Sequence, residues 1–226
     1  MANQKKPSQL SPERLTELTL TLSRGCEKLG LSLSEQQINQ LIAYVLILRR
    51  WNHVYNLTAV DQPEKMVVYH LLDSLSIVPH LQGESIIDVG TGGGLPGIPL
   101  SIVYPEKQFT LLDSVNKKTR FLLVAVAELG LKNVTVVNAR VENCVDQCFD
   151  TVVTRAFSSL ELMLQLTAHL TRVPGLFIAM KGKPLGDDEH KLPDGFVWLD
   201  EQVLHVPGLD AERHLYRIKK QEIRID

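Results

Sequence analysis

A glycine-rich stretch at residues 85–97 constrains the fold of this chain more than any other feature. It opens with Ile86, Ile87 and Val89, an apolar and largely β-branched run that is typical of a buried parallel strand. Four glycines then fall within five residues. Because glycine costs conformational entropy on folding, this density indicates a tight turn that a ligand approaches closely. Pro96 marks the start of a helix. The stretch therefore predicts strand, turn and helix, which is the opening of a nucleotide-binding βαβ unit.

Two kinds of cofactor fit this turn. Gly92, Gly94 and Gly97 match G-x-G-x-x-G, in which backbone N–H groups face a dinucleotide pyrophosphate. The acid-x-G-x-G-x-G pattern that begins at Asp88 and continues with Gly90 resembles motif I of methyltransferases that use S-adenosylmethionine (SAM). Asp88 at the strand end offers a carboxylate to the amino group of SAM. We favour SAM, with a dinucleotide, or a turn without a ligand, as the alternatives.

Composition restricts the class of protein. The chain has 226 residues, is 44% hydrophobic and carries a formal net charge of -2, which suits an α/β domain with an added element. No apolar run reaches the roughly 18 residues of a membrane span, and residues 1–7 lack the apolar core of a secretory signal. Three scattered cysteines predict neither a disulfide framework nor a zinc site. We expect a cytoplasmic protein without a metal, without a membrane association and without an obligate protein partner.

Helical patterns dominate the first quarter of the chain. Ser11 and Pro12 form a capping pair, leucines then recur at helical spacing, and Gly30 ends the helix. Ser34 and Gln37 form a capping box for a second helix that reaches about Trp51. We predict three segments: a disordered tail (1–10), an N-terminal helical cap (11–60) and a SAM-dependent methyltransferase domain (61–226).

Residues 51–58 mix aromatic and amide side chains, which indicates packing between helices or, alternatively, a ligand or RNA surface. A third helix begins at residues 61–63 and carries His70 and Asp73 as i,i+3 neighbours. No further metal-ligating or acidic cluster accompanies His70 in the sequence. We therefore interpret His70 as a structural residue.

Strand patterns alternate with helical patterns through the rest of the chain. The predicted strands cover residues 85–89, 108–113, 134–138, 149–157 with its exit, and 176–183, followed by a hairpin of 196–206 and 215–220. This alternation predicts a right-handed, mostly parallel α/β sheet. A C-terminal antiparallel hairpin favours a methyltransferase over a dehydrogenase. The predicted fold is the Rossmann-like class I SAM-dependent methyltransferase fold with an N-terminal helical extension.

Charged residues follow the predicted strand ends. Asp113 ends the second strand, where a carboxylate can bind the ribose hydroxyls of an adenosine or, alternatively, cap the next helix. Lys117, Lys118 and Arg120 occupy the first turns of that helix and oppose its macrodipole. Such a placement indicates phosphate contacts, although a solvated helix face is equally consistent. Arg140 and Lys181 follow later strands, and we predict that these five basic residues bind RNA.

Five motifs together resemble the bacterial RsmG family, formerly called GidB. They are WNHVYNLT (51–58), HLLDS (70–74), DVGTGGGLPGIPL (88–100), LLDS (111–114) and RAF (155–157). Gly93 departs from the family's usual proline, and residues 116–120 depart from its usual Gly-Lys-Arg-x-Arg run while they keep the charge. The resemblance implies a 16S rRNA guanine-N7 methyltransferase that converts SAM to S-adenosylhomocysteine on 16S rRNA or the small ribosomal subunit, at guanine 527 in the usual rRNA numbering.

The resemblance also implies which residues bind the cofactor. Gly90 and Leu95 would contact it from the glycine turn, Val141 and Glu142 would lie against the adenine, and Arg155 would reach it from the fourth strand. With Asp88, Gly92 and Asp113, these residues form the predicted SAM site.

Methylation at guanine N7 places few chemical demands on the protein. N7 has a lone pair and no proton, so no general base is needed and we assign no catalytic residue. Catalysis by alignment can supply up to ~7–11 kcal/mol. Arg140, Arg155 or Lys181 can bind O6 or a phosphate, but not N7 during transfer, and the target base must lie in a loop, be distorted or be flipped out. The competing functions are a small-molecule SAM methyltransferase, a NAD-binding oxidoreductase and a non-catalytic RNA-binding assembly factor.

Overall fold

The computed structural model describes residues 10–144, 147–155, 157, 159–186 and 190–221. The predicted tail lies outside these residues except for Leu10. Seven helices occur within the described ranges: α1 (Pro12–Lys28), α2 (Glu35–Tyr55), α3 (Pro63–Met66), α4 (Asp73–Leu75), α5 (Gly97–Val103), α6 (Asn116–Leu129) and α7 (Leu160–Thr167). A π-helical turn, Val67–Leu72, joins α3 to α4, and short 3-10 turns precede β1 and follow β3 and α7.

Seven strands form one sheet in the order β3-β2-β1-β4-β5-β7-β6. They are β1 (Ser85–Val89), β2 (Gln108–Asp113), β3 (Val134–Asn138), β4 (Phe149–Thr154), β5 (Thr171–Lys181), β6 (Phe196–Leu204) and β7 (Arg213–Lys220). The first five strands pair in parallel, whereas β7 is antiparallel to both β5 and β6. The predicted α/β fold, with its parallel sheet and terminal hairpin, is confirmed.

The N-terminal helices begin where the capping residues predicted. Ser11 Oγ accepts a hydrogen bond from Arg14 N, and Ser34 and Gln37 form a reciprocal capping box. Helix α2 continues to Tyr55, beyond the predicted end near Trp51, and stops at Asn56, which adopts a left-handed conformation. The last turn of the helix is held by other contacts than the apolar stripe, because Trp51 packs against Phe121 and the Asn52 side chain is hydrogen-bonded to Asp61 and Thr58.

Strand β5 begins five residues before the predicted start at residue 176. Pro174 and Gly175 lie inside it, and in the sequence this pair indicates a break rather than a strand. The register with β4 shifts at this point, so that Phe149 pairs with Thr171 while Thr151 pairs with Leu176. This irregularity accommodates the proline and the glycine within a continuous strand.

The sheet carries apolar cores on both faces. Alternate residues of β2 point to opposite sides, so Phe109 and Leu111 join a core with α1, α2, the π turn, α5 and α6, whereas Leu112 joins a core with α7. Helix α2 also binds the sheet domain through polar contacts, because Gln37 Nε2 donates to the carbonyls of Ile102 and Val103 at the end of α5. Within the described ranges, no helix combines the length and apolar character that crossing a bilayer would need.

Candidate active site

The glycine turn lies at the carboxyl end of β1. Gly90, Gly92 and Gly94 all have positive φ, at 72°, 61° and 89°, a region that residues with a Cβ rarely adopt. Gly94 also lacks space, because a Cβ there would lie 2.5 Å from Cδ1 of Ile98. The N–H of Gly90 donates to the carbonyl of Leu112 at 2.9 Å, which fixes the turn against β2. The glycines therefore stand at alternate positions because the backbone of the turn adopts positive φ at each of them.

Helix α2, one of the two N-terminal helices, contacts the same turn. The hydroxyl of the fully buried Tyr44 donates to the carbonyl of Gly93 at 2.6 Å. Burial raises the pKa of Tyr44, so the hydroxyl keeps its proton and acts as a donor. The turn at Gly93, where the resemblance expects a proline, is thus held by a side chain of the N-terminal helices.

Asp88 lies beneath the turn, where its side chain is 1% exposed. Its Oδ2 accepts hydrogen bonds from Thr91 Oγ1 at 2.6 Å and from Gly97 N at 2.8 Å, and so joins the turn to the start of α5. Burial raises the pKa of Asp88 to about 6. Its Oδ1 is buried without a hydrogen-bond partner among the described residues. A contact between Asp88 and the amino group of SAM stays a prediction, while the contacts within the turn are already formed.

Asp113 is the last residue of β2, and its side chain joins the glycine turn to the start of α6. Its Oδ2 accepts from Gly92 N at 3.0 Å and from Lys118 Nζ at 3.3 Å, and its Oδ1 accepts from Val115 N at 2.9 Å. An ionised carboxylate offers about four acceptor positions. The carboxylate therefore organises the start of α6, as one of the two alternatives for Asp113 expected, while its contact with a ribose stays a prediction.

A first hollow of about 320 Å³ opens beside Asp113 at the carboxyl edge of the sheet. It is lined by Val89, Gly90, Leu112, Asp113, Ser114, Val115, Lys118, Ala139, Arg140, Val141, Glu142 and Phe157. It thus brings together residues that the sequence placed at three different strand ends. Its walls are mostly apolar, and its carboxylates come from Asp113 and Glu142.

Two further spaces, which we call the passage and the second hollow, share lining residues with their neighbours in this row. The passage, of about 200 Å³, is lined by Leu48, Leu57, Thr58, Gly90, Thr91, Gly92, Gly93, Leu95 and Arg155. The second hollow, of about 300 Å³, is lined by Val60, Tyr69, His70, Asp73, Arg155, Met180, Lys181, Gly182 and Arg213. Gly90 is common to the first hollow and the passage, and Arg155 is common to the passage and the second hollow. Among the predicted cofactor residues, Asp88 alone lines none of these three spaces.

Sequence reasoning missed the centre of the second hollow. Asp73 is 2% exposed and binds two arginines, with Oδ2 at 3.1 Å from Arg155 Nη1 and Oδ1 at 2.8 Å from Arg213 Nε. The sequence offers no sign of this arrangement, since Arg213 follows Asp73 by 140 residues. The motifs HLLDS and RAF contain Asp73 and Arg155, but nothing in either motif shows that these two side chains pair.

His70 is held by a short chain of polar contacts. Asn52 Oδ1 accepts from Thr58 N at 2.8 Å, and Thr58 Oγ1 lies 2.9 Å from His70 Nε2. Burial, assisted by the charge of Arg155, lowers the pKa of His70 to about 4, so the imidazole is neutral at pH 7. These contacts support the structural interpretation of His70, and its position also makes it a wall of the second hollow.

The predicted RNA-binding residues divide into two groups. Lys117 and Arg120 are exposed on α6. Lys118 is bound to Asp113, Arg140 lines the first hollow, and Lys181 lines the second hollow while it donates to the carbonyl of Phe157 at 2.8 Å. The described residues contain no cluster of three or more histidine, cysteine, aspartate or glutamate side chains that could hold a metal ion.

A sequence model of the rRNA small subunit methyltransferase G family (GidB) matches residues 37–216. The chain belongs to this family. It is 50% identical over 206 residues to ribosomal RNA small subunit methyltransferase G of Alteromonas mediterranea, a match that covers 91% of this chain and 98% of that protein. It is 51% identical over 203 residues to the protein of the same name from Escherichia fergusonii, covering 89% and 98%. The family predicted from the motifs is confirmed.

Solved structures that contain AdoMet or SAH share the fold of this GidB-family chain. TYW2 of M. jannaschii, solved in complex with AdoMet, has a TM-score of 0.52 at 15% identity, with 68% of this chain and 76% of that chain covered. Coclaurine N-methyltransferase bound to N-methylheliamine and SAH has a TM-score of 0.50 at 15% identity, covering 85% and 74%. At this level of identity the likeness concerns the fold.

Proposed function

We propose that this chain transfers the methyl group of SAM to N7 of a guanine in 16S rRNA. The observation that carries the proposal is the row of two hollows and a passage, which share Gly90 and Arg155 as walls, in a member of the methyltransferase G family. A methyl transfer needs two ligands whose reacting atoms meet, and this row offers one space for each. The family resemblance further implies the specific guanine.

The residues of the first hollow fit the adenosine end of SAM. Val115, Val141 and Phe157 provide apolar surface for a purine ring. Asp113 retains an acceptor position for a ribose hydroxyl, and the exposed backbone of Gly90 lines the same hollow. TYW2 and coclaurine N-methyltransferase, which have this fold, were solved with AdoMet and SAH respectively. We propose SAM as the cofactor on these grounds.

The chemistry proposed here requires alignment and no proton transfer. SAM supplies a methyl group on a sulfonium, and guanine N7 supplies a lone pair. His70 is neutral because its pKa is lowered to about 4, but N7 has no proton for it to remove. The residues of the passage instead restrict the line of approach between the two hollows. Alignment of this kind is worth up to ~7–11 kcal/mol.

The proposed partner is 16S rRNA, naked or assembled into the small subunit. Because the chain has a net charge of -2, its affinity for RNA must come from a local basic surface. Lys117, Arg120 and Arg140 are exposed, and Arg140 also lines the first hollow, so we include these three residues as contacts for phosphates. We include in the proposal that the protein is cytoplasmic and needs no obligate protein partner.

The test is methyl transfer from labelled SAM to small subunits and to protein-free 16S rRNA from a strain that lacks this gene. We expect one new N7-methylguanine, mapped by chain cleavage at the modified base. Arg155→Met should abolish or strongly reduce transfer, whereas Arg172→Met, which removes an exposed arginine paired with Asp150, should not. Absence of transfer to either form of rRNA would refute the proposal. SAM binding without transfer would favour an assembly factor, and transfer to small molecules would favour the other alternative enzyme.

A further inference from the structure

The second hollow is built from distant parts of the chain. Tyr69, His70 and Asp73 come from the π turn and the start of α4, Arg155 follows β4, and Arg213 begins β7. Its volume of about 300 Å³ is at the lower end of the range for small-ligand pockets. Since Arg155 also lines the passage, a ligand in this hollow would have one edge beside the cofactor site.

Asp73 fixes the orientation of both arginines. Each of its oxygens accepts from one guanidinium, so the two planes are held by one buried carboxylate. Arginine has five N–H donors. Among the described residues, Arg155 donates one of them to Asp73, while Arg213 donates to Asp73 and also to the carbonyl of Glu212 at 3.0 Å. Arg155 therefore retains donors at the point where the second hollow meets the passage.

An exposed aromatic ring forms another wall of this hollow. Tyr69 is 40% exposed although it lies between the buried residues Val67 and His70. It lies in a π-helical turn, a conformation that is frequent at functional sites. Unstacked bases bind to proteins by stacking on such rings. His70 lines the same hollow beside Tyr69 in the sequence.

The position of the reacting atom restricts how a guanine can lie here. N7 and O6 are on the same edge of guanine, and both are acceptors, whereas adenine has N7 beside an amino donor. If N7 faces the passage, O6 lies next to it, on the side of Arg155. A guanidinium donor can bind O6 and leave N7 free for the methyl group.

We propose that the second hollow takes the unstacked target guanine, with its ring on Tyr69 and its O6 bound by Arg155, which Asp73 and the second arginine hold in place. This inference rests on the proposed function and names the residues that read the base. Adenine would place its amino group, a donor, against the guanidinium of Arg155, which is also a donor. Both groups would then lack an acceptor. A site built to hydrogen-bond one group rejects an analogue that lacks it by about 10,000-fold.

The test replaces the target nucleotide in 16S rRNA assembled from ligated fragments and reconstituted into small subunits. Guanosine, inosine, 2-aminopurine and adenosine are compared in single-turnover methyl transfer with the parent protein. Inosine keeps O6 and N7 and should react at a rate near that of guanosine. The two bases without O6, 2-aminopurine and adenosine, should lose about 10,000-fold. If 2-aminopurine reacts as fast as inosine, Arg155 does not read O6. If guanosine itself does not react, the proposed function fails instead.

Variants of Tyr69 test the stacking surface separately. Tyr69→Leu should slow transfer about 5- to 150-fold, because base–aromatic stacking is worth ~1–3 kcal/mol. Tyr69→Phe keeps the ring and should restore the parent rate. Calorimetry with S-adenosylhomocysteine should give the parent affinity for both variants, and their melting temperatures should match because Tyr69 is exposed. Equal rates for the leucine and phenylalanine variants would overturn the placement of the base on this ring.

A pair of arginines on β7 tests the role of the carboxylate cluster. Arg213→Met removes one of the two partners of Asp73 and should slow transfer while cofactor affinity stays unchanged. Arg217→Met is the matched control, since Arg217 is on the same strand and pairs with Asp200, away from the hollow. Transfer rates that fall equally in both variants would indicate a general effect on the hairpin and contradict the assignment.

Discussion

Two buried groups, His70 and Asp88, should make the stability of this protein depend on pH in opposite directions. The pKa of His70 is lowered to about 4 by burial, from an ordinary value of 6.5. The unfolded chain therefore binds this proton more tightly, and stability is lost as the pH falls from 6.5 towards 4. The pKa of Asp88 is raised by burial from 3.8 to about 6. Its contribution is complete below pH 3.8 and is lost as the pH rises through 6.

The two contributions differ in size between pH 7 and pH 5. A tenfold difference in proton affinity is worth about 1.4 kcal/mol. When the pH falls from 7 to 5, the titration of His70 lowers the free energy of unfolding by about 2 kcal/mol, and the titration of Asp88 raises it by about 1 kcal/mol. The parent protein should therefore lose up to about 1 kcal/mol through this pair.

Replacing His70 separates the two effects. His70→Gln removes the titrating ring and keeps an amide that can meet Thr58 Oγ1. When the pH falls from 7 to 5, the parent loses the contribution of His70 to its free energy of unfolding, and this variant does not. The change in the free energy of unfolding should therefore be about 2 kcal/mol more positive for the variant than for the parent. Urea unfolding at the two pH values and at one ionic strength measures the difference. His53→Gln, at an exposed histidine near the end of α2, is the control. Parallel pH dependences for the parent and His70→Gln would refute the reasoning.

Three further predictions concern the cofactor site and the basic surface. Asp113→Asn should weaken S-adenosylhomocysteine binding by ~1.5–3 kcal/mol in calorimetry, because a charged acceptor is lost. Gly97→Ala should lower the free energy of unfolding by ~1–3 kcal/mol in urea, because its Cβ would collide with a leucine side chain of β2. Neutralising Lys117 and Arg120 together should reduce the log–log salt slope of RNA affinity by about one to two, whereas Lys132→Gln, exposed beyond the other end of α6, should leave it unchanged.

Local features of the fold could be predicted because they depend on neighbouring residues. The positive φ angles of Gly90, Gly92 and Gly94 follow from steric limits that act within a few residues, so glycine spacing indicated the turn. The caps at Ser11 and Ser34 are equally local. The parallel sheet followed from the alternation of strands with helices, which leaves few connections available.

Features that depend on tertiary contacts could not be predicted. The π turn has ordinary helical periodicity in the sequence, and Pro174 and Gly175 hide the start of β5 because the compensating irregularity involves β4. The pairing of Lys118 with Asp113, which makes Lys118 a wall of the first hollow, also has no sign in the sequence, while its contact with RNA stays a prediction. For this reason the salt-slope prediction above uses Arg120 with Lys117 and leaves Lys118 intact.

The Asp73 cluster explains why the second hollow requires the whole chain. One carboxylate joins the helical segment before the sheet, the end of β4 and the first residue of the C-terminal hairpin. A buried ion pair adds little net stability compared with apolar packing, because desolvation offsets the attraction. Its effect here is to fix geometry: two guanidiniums bound to one immobile carboxylate cannot swing independently. The N-terminal helices also hold the glycine turn through Tyr44 and Gly93, so the passage, like the second hollow, depends on elements outside the parallel sheet. In the proposed arrangement, a base would be aligned with the cofactor only when helices, sheet and hairpin have assembled around the same edge.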